Sequence, residues 1–239
     1  MVHLTAPRST PVEPVVLAFH GTRHPDGEAT VRRIAADASA LLGGSDVRVG
    51  WVDIHPELLA DQLPGLGACT VVPCFLAAGY HVRHDVPAAV DASPHPVRVT
   101  DHLGARALDA VAARVNQAGG PGDAMVLAAI GSRFAAAQAE VADAAAALGL
   151  RLGVDVRPGF IFGGEPRVAD VVTALRAEGR RDILIAPYAI APGLFAERLA
   201  GLGARVAAPL GAHPTLVAAL ARLVNSSLDR RVSPGKLPD

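Results

Sequence analysis

Among the side chains of this chain suited to a divalent cation, three stand at the ends of apolar runs. His20 closes the run in "VVLAFHGTRHP", Asp53 lies near the end of "VRVGWVDI", and His81 follows "CTVVPCFLAAGY". Two imidazoles and one carboxylate suit a first-row metal such as iron, cobalt, nickel or zinc, and they leave coordination positions open. Imidazole binds metal in its neutral form, so such a site weakens in mild acid. In an open parallel α/β sheet, ligands bind in the crevice beyond the carboxyl ends of the strands. If the three runs are neighbouring strands of one such sheet, the three residues meet at one edge.

Each of the three has a plainer reading when taken alone, because a loop histidine is most often simply solvated. Their joint placement at three strand ends is what points to function. His84 could share a helical face with His81, but an exposed helix start is the favoured explanation. His24, His55, His95 and His102 fall in loops near the same edge and are read as background. The glycines of "HGTRHPDG" match neither phosphate-binding pattern. Cys69 and Cys74 are the only cysteines, and their spacing puts them on opposite faces of a strand, so neither a disulfide nor a thiolate metal site is expected.

The elements that must position these residues read as strand-helix repeats around a parallel sheet. "VVLAF" is a first strand. "GEATVRRIAADASALL" then places Val31, Ile34, Ala35, Ala38, Leu41 and Leu42 on one helical face. "VRVGWVDI" is a second strand, "PELLADQLPGL" a short helix opened by Pro56, and "CTVVPCFL" a third strand. Asp85 is placed to cap a helix with Pro87 in its first turn. "VRVTDHLG" and the helix "ARALDAVAARV" follow, and "NQAGGPGD" is the clearest linker.

After that linker the pattern repeats. "MVLAAIGSRF" echoes "VVLAFHGTRH", "ILIAPYAIAPGLF" echoes "VVPCFLAAGYH", and "AAPLGAHPTLVAALARL" echoes "VTDHLGARALDAVAARV". Equivalents lie roughly 110 residues apart, the size of an ordinary small domain. Gly21 pairs with Gly131, Arg23 with Arg133, Pro73 with Pro187 and Gly79 with Gly193, whereas His20 pairs with Ile130 and His81 with Phe195. The repeat keeps residues that shape the backbone and drops the imidazoles. The expectation is two similar α/β domains from an internal duplication: 1–118 with the histidines, 119–225 as a degenerate repeat, and 226–239 as a disordered tail.

Composition narrows the setting. Of the 239 residues, 51% are hydrophobic and 19% charged, a globular balance. No run approaches the roughly 20 apolar residues that span a bilayer. The polar start "MVHLTAPRSTPVEP" lacks the features of a secretory signal, which leads to the expectation of a cytoplasmic protein. A formal net charge of -1 gives no reason to expect a nucleic-acid or membrane partner.

The residues around the two histidines carry a family resemblance. "LAFHGTRHP" resembles the "GHGSRDP" opening of the class II tetrapyrrole chelatases, and "VVPCFLAAGYHVRHDVP" is similar to their "PLFLxxGxHxxxDIP" segment. The likeness takes in His20, Gly21, Arg23, Pro25, Pro73, Gly79, His81, Asp85 and Pro87, in order. A two-domain chain whose second half lacks counterparts of His20 and His81 resembles the long sirohydrochlorin chelatases. The resemblance implies a chelatase-like, flavodoxin-like sheet in each half. It implies a lyase that inserts Fe²⁺ or Co²⁺ into sirohydrochlorin with release of two protons, in sirohaem or cobalamin biosynthesis.

On that resemblance the metal is substrate, no cofactor is permanently bound, and His20 and His81 deliver the ion. The family often has Glu at the end of the second strand where this chain has Asp53. "VDIHPELL" also departs from "LExxxPSL" by one residue of spacing, so Glu57 stays open as the acting carboxylate. Arg23, Arg83 and Tyr80 at the cleft edge are candidate contacts for the ring. The other readings are a chelatase for a porphyrin, a non-catalytic tetrapyrrole or metal carrier, and a module for a phosphorylated ligand, the last disfavoured by the missing phosphate loop. Monomer and homodimer are both compatible with the sequence.

Overall fold

The run "VVLAF" offers β-branched and aromatic side chains without a helical period, and it forms β1 (Val15–Phe19), buried at every position. The computed structural model describes residues 13–229, and β1 lies inside the first of two sheets. The first half continues with α1 (Pro25–Leu41), β2 (Val47–Trp51), α2 (Leu59–Gln62), β3 (Cys69–Pro73), α3 (Val86–Asp91), β4 (Val97–Val99) and α4 (Leu108–Gln117). Its strands are parallel in the order β2-β1-β3-β4.

The second half repeats this plan with β5 (Ala124–Ala129), α5 (Ala135–Leu152), β6 (Val156–Phe160), α6 (Val168–Ala177), β7 (Ile183–Tyr188), α7 (Leu194–Glu197), β8 (Arg205–Val206) and α8 (Pro214–Asp229). The strand order is again parallel, β6-β5-β7-β8. Even the register repeats: Ala18 lies between Gly50 and Pro73, as Ala128 lies between Gly159 and Pro187. Two four-stranded parallel sheets flanked by helices are therefore the architecture that the internal repeat foretold.

The halves are not two separate cores. Side chains alternate along a strand, and Leu17 and Phe19 join Leu127 and Ala129 in one central core filled by α1, α4, α5 and α8. On the outer faces, Val16 and Ala18 pack with Leu59 and Val86, and Val126 and Ala128 pack with Val172 and Leu175. The last helix of each half lies against the other half: α8 packs on α1 and β3, and α4 packs on β7 and α5. Cys69 and Cys74 fall in different clusters on opposite faces.

Several boundaries differ from the sequence expectation, each for a local reason. Pro56 does not open the α2 helix, because residues 53–57 form a bent loop in which Ile54 takes φ 56° and the Trp51 N–H bonds back to the Glu57 carbonyl. The helix begins only after Leu58. The tail does not start at residue 226, since α8 continues through Asp229. Ser227 is buried there with its hydroxyl donating to the Val224 carbonyl, so a residue read as polar tail continues the apolar stripe. Residues 230–239 and the amino-terminal stretch 1–12 lie outside the described residues.

Candidate active site

His20 is the first residue beyond β1, and the next residue must be glycine. Gly21 takes φ +119°, and a Cβ there would stand 1.9 Å from the backbone oxygen of Asp53. The Asp53 N–H in turn donates to the His20 carbonyl at 2.9 Å, fastening the ends of β1 and β2 together. His81 arrives from β3 through residues 74–80 and opens a widened, π-helical turn, His81–Asp85, that runs on into α3. That turn keeps residues four apart on one face, and His81 Nδ1 lies 2.5 Å from Asp85 Oδ2. The carboxylate fixes the ring and leaves Nε2 as its available nitrogen.

The two imidazoles face each other with ring centroids 4.4 Å apart, tilted by 43°, and Phe75 stacks on His81 at 5.8 Å. His20 Nδ1 is buried with no hydrogen-bond partner. Burial, and then the neighbouring His81, push the His20 pKa below its ordinary value, with Asp53 and Asp85 opposing more weakly. The shift favours the neutral ring, the state in which imidazole ligates metal.

The pair opens into a cleft of about 730 Å³ between the halves, within the range of small-molecule sites. One wall carries His20, Arg23, Tyr80 and His81; the other carries Ile130, Arg133, Phe134, Tyr188 and Phe195. The second wall is largely apolar because Ile130 and Phe195 stand where the histidines would be. The equivalent of Asp85 is Leu199, fully buried, so the second half has lost the orienting carboxylate along with the imidazole.

The remaining candidates are placed unequally. Arg23 is exposed and lines the cleft opposite its counterpart Arg133. Tyr80 lines it too, its ring 4.7 Å from that of His84. Asp53 stands beside His20, with Oδ1 accepting from the Ile54 N–H at 2.7 Å. Glu57 lies farther out in an ion pair with Arg32 at 2.9 Å. Arg83 is outside the cleft lining, its Nε donating to the Ala78 carbonyl at 2.7 Å and its guanidinium over the Phe134 ring at 5.7 Å. Among the described residues no three His, Cys, Asp or Glu side chains converge as metal ligands, and the imidazoles stand as a pair.

Sequence reasoning missed Asp85, which was read as a helix cap. It makes no capping hydrogen bond, because the helical path already begins at His81. The four-residue spacing from His81 was the available signal. It also passed over Phe134, which reads as an ordinary helix-start residue until the halves are folded together.

Fold and site together define a duplicated parallel α/β protein with one imidazole pair in the cleft between its halves. The chain belongs to the CbiX family, whose model matches residues 14–118 and again 124–227. A sirohydrochlorin cobaltochelatase of Methanopyrus kandleri is 29% identical over 85 residues, covering 34% of this chain and 59% of that protein. The chain thus spans about three fifths of the length of that curated relative. Among solved structures, SirB from Bacillus subtilis with Fe³⁺ aligns with a TM-score of 0.74 at 18% identity, over 90% of this chain and 94% of that one. The sirohydrochlorin chelatase SirB from Bacillus subtilis subspecies spizizenii, in complex with cobalt, aligns at 0.75 and 16%, over 91% and 95%. These structural likenesses establish the shared two-domain fold. Among the described residues no helix is long and apolar enough to cross a membrane.

Proposed function

We propose that this protein is a sirohydrochlorin-type chelatase that inserts Fe²⁺ or Co²⁺ into the ring and releases two protons, serving sirohaem or cobalamin synthesis in the cytoplasm. One observation carries the reading: the paired imidazoles of His20 and His81 face an apolar wall across a cleft large enough for a flat ligand. The relatives named above include a cobaltochelatase and a chelatase structure with cobalt.

A metal cannot enter a flat macrocycle whose centre holds two N–H protons. The catalyst must hold the ring, present the ion from one face and accept protons. In this reading the ring lies against the Ile130, Phe134 and Phe195 side, where apolar burial favours its face. His20 and His81 hold the ion on the opposite side, His20 neutral through burial and His81 oriented by Asp85. Having delivered the ion, a neutral imidazole can take a pyrrole proton. Asp53, adjoining His20, is the carboxylate assigned to assist, in preference to the ion-paired Glu57. Arg23 and Arg133 present forks to the carboxylates that rim such a ring.

The test follows visible absorption of sirohydrochlorin mixed anaerobically with Co²⁺ or Fe²⁺. Wild type accelerates metallation, and His20→Ala or His81→Ala lowers the rate about 100-fold or more while circular dichroism stays native. A ring spectrum that shifts in proportion to protein, with no faster metallation, identifies a carrier and overturns the assignment.

A further inference from the structure

The half that lacks the cleft imidazoles holds the segment that leads to one of them. Glu140, on α5, places Oε2 2.9 Å from the Ala78 backbone nitrogen, which donates to it across the two halves. The same oxygen lies 3.0 Å from His102 Nε2, which comes from the chain beyond β4. The Ala78 carbonyl accepts from Arg83 Nε at 2.7 Å. Ala78 is therefore held through both backbone polar groups, three residues ahead of His81. Gly104, at φ +49°, makes room for this arrangement, since a Cβ there would approach His102 Nε2 to 3.1 Å.

The reciprocal contact is built differently. Pro192 is the counterpart of Ala78 in the repeat, and it has no N–H to offer. It meets the first half by close approach, its carbonyl oxygen 2.9 Å from where a Cβ on Gly27 would be. Thr30 is the counterpart of Glu140, and its hydroxyl donates to the Asp26 carbonyl within its own helix. Among the described residues, only the loop that delivers an imidazole receives a carboxylate from the opposite half. An N–H bonded to a carboxylate is stronger than a neutral pair, and orientation of a ligand-bearing segment is what such outer contacts set.

We infer that Glu140 is a positioning residue that anchors the Ala78 segment across the cleft and so sets His81 opposite His20. For its turnover readout this rests on the chelatase reading; its metal-binding readout does not. The experiment uses the full chain, with Co²⁺ binding followed by the visible d–d absorption of the bound ion and metallation kinetics measured with ion and ring varied separately. Glu140→Met, which keeps the bulk and removes the acceptor, weakens Co²⁺ binding and raises the KM for the ion about tenfold, leaving the KM for the ring unchanged. Glu140→Gln keeps an acceptor oxygen for the Ala78 N–H and restores most of the loss.

A Glu140→Met protein that binds Co²⁺ like wild type overturns the inference. So does a folded Glu140→Gln protein as impaired as Glu140→Met, because the effect then lies in charge and not in the anchor. In the wild-type protein the Ala78 amide exchanges slowly with solvent; exchange at the open-chain rate overturns the inference without any variant. Wild type that binds Co²⁺ but never metallates the ring refutes the chelatase reading and leaves the anchor to be judged on the Co²⁺ arm.

Discussion

Two loops hold the same place in the two sheets and differ in what they carry. After β1 the chain reads His20-Gly21-Thr22-Arg23-His24; after β5 it reads Ile130-Gly131-Ser132-Arg133-Phe134. Gly21 at φ +119° and Gly131 at φ +110° both press against a backbone oxygen, that of Asp53 or of Gly163. The Thr22 hydroxyl accepts from the His24 N–H, as the Ser132 hydroxyl accepts from the Phe134 N–H. The backbone device is the same in both. Where a side chain faces the cleft, imidazole has become aliphatic or aromatic, and the Asp85 that steadies His81 has become Leu199. Positions fixed by backbone sterics persist through the duplication, and positions fixed only by chemistry are released to form a second, apolar wall.

The sharpest way to break this comparison is at its shared element. Gly21→Ala and Gly131→Ala should each destabilise the protein by roughly 3 kcal/mol or more, from strained backbone and a steric clash together. Urea melts would read the loss, and a variant of either that melts like wild type would show that the loops are not equivalent. At the next level the halves should separate. Asp85→Asn should weaken Co²⁺ binding about 10–100-fold, whereas Leu199→Asn should leave Co²⁺ binding unchanged and cost about 1–3 kcal/mol for a buried unsatisfied amide. Co²⁺ titration together with thermal melting distinguishes the two, and equal Co²⁺ losses would dissolve the contrast.

The smallest effect concerns protons. His20 in the first half and His213 in the second both have pKa values below the ordinary 6.5, through burial first, and then through His81 and Arg114 respectively. The unfolded chain therefore binds these protons more readily. Each ring contributes stability that is whole above about pH 6.5 and is lost as pH falls through its lower folded value. The urea midpoint should fall on acidification below pH 6.5, and less steeply in His20→Leu. Identical slopes in wild type and that variant would show that folding does not oppose protonation of His20.

Much of this arrangement was legible in the sequence because strand ends in a parallel sheet share an edge. His20 and His81 follow neighbouring strands, and that alone was enough to expect them to meet. Asp53 and Glu57 could not be separated by spacing, since the bend at Ile54 and the pairing of Glu57 with Arg32 are tertiary facts. Asp85 before Val86-Pro87 has the look of a helix cap, and only the widened turn from His81 shows it oriented toward an imidazole. The amphipathic stripes of α4 and α8 said that these helices are buried, not which sheet they cover. His102 beyond β4 reads as background and Glu140 on α5 is not singled out at all, because nothing local announces that two halves meet over them.

The crossed placement of α8 sets the order in which this molecule can be completed. The helix at Pro214–Asp229 closes over α1 and β3, which are made far earlier in synthesis. Contacts of such long sequence separation form late and slow the search for the native state. Until Leu216, Leu220 and Val224 have left the ribosome, the inner face of the first sheet lacks part of its cover. The imidazole pair is therefore encoded once His81 has been made but secured only by α8, and a nascent chain stalled between them would present an open apolar face to chaperones.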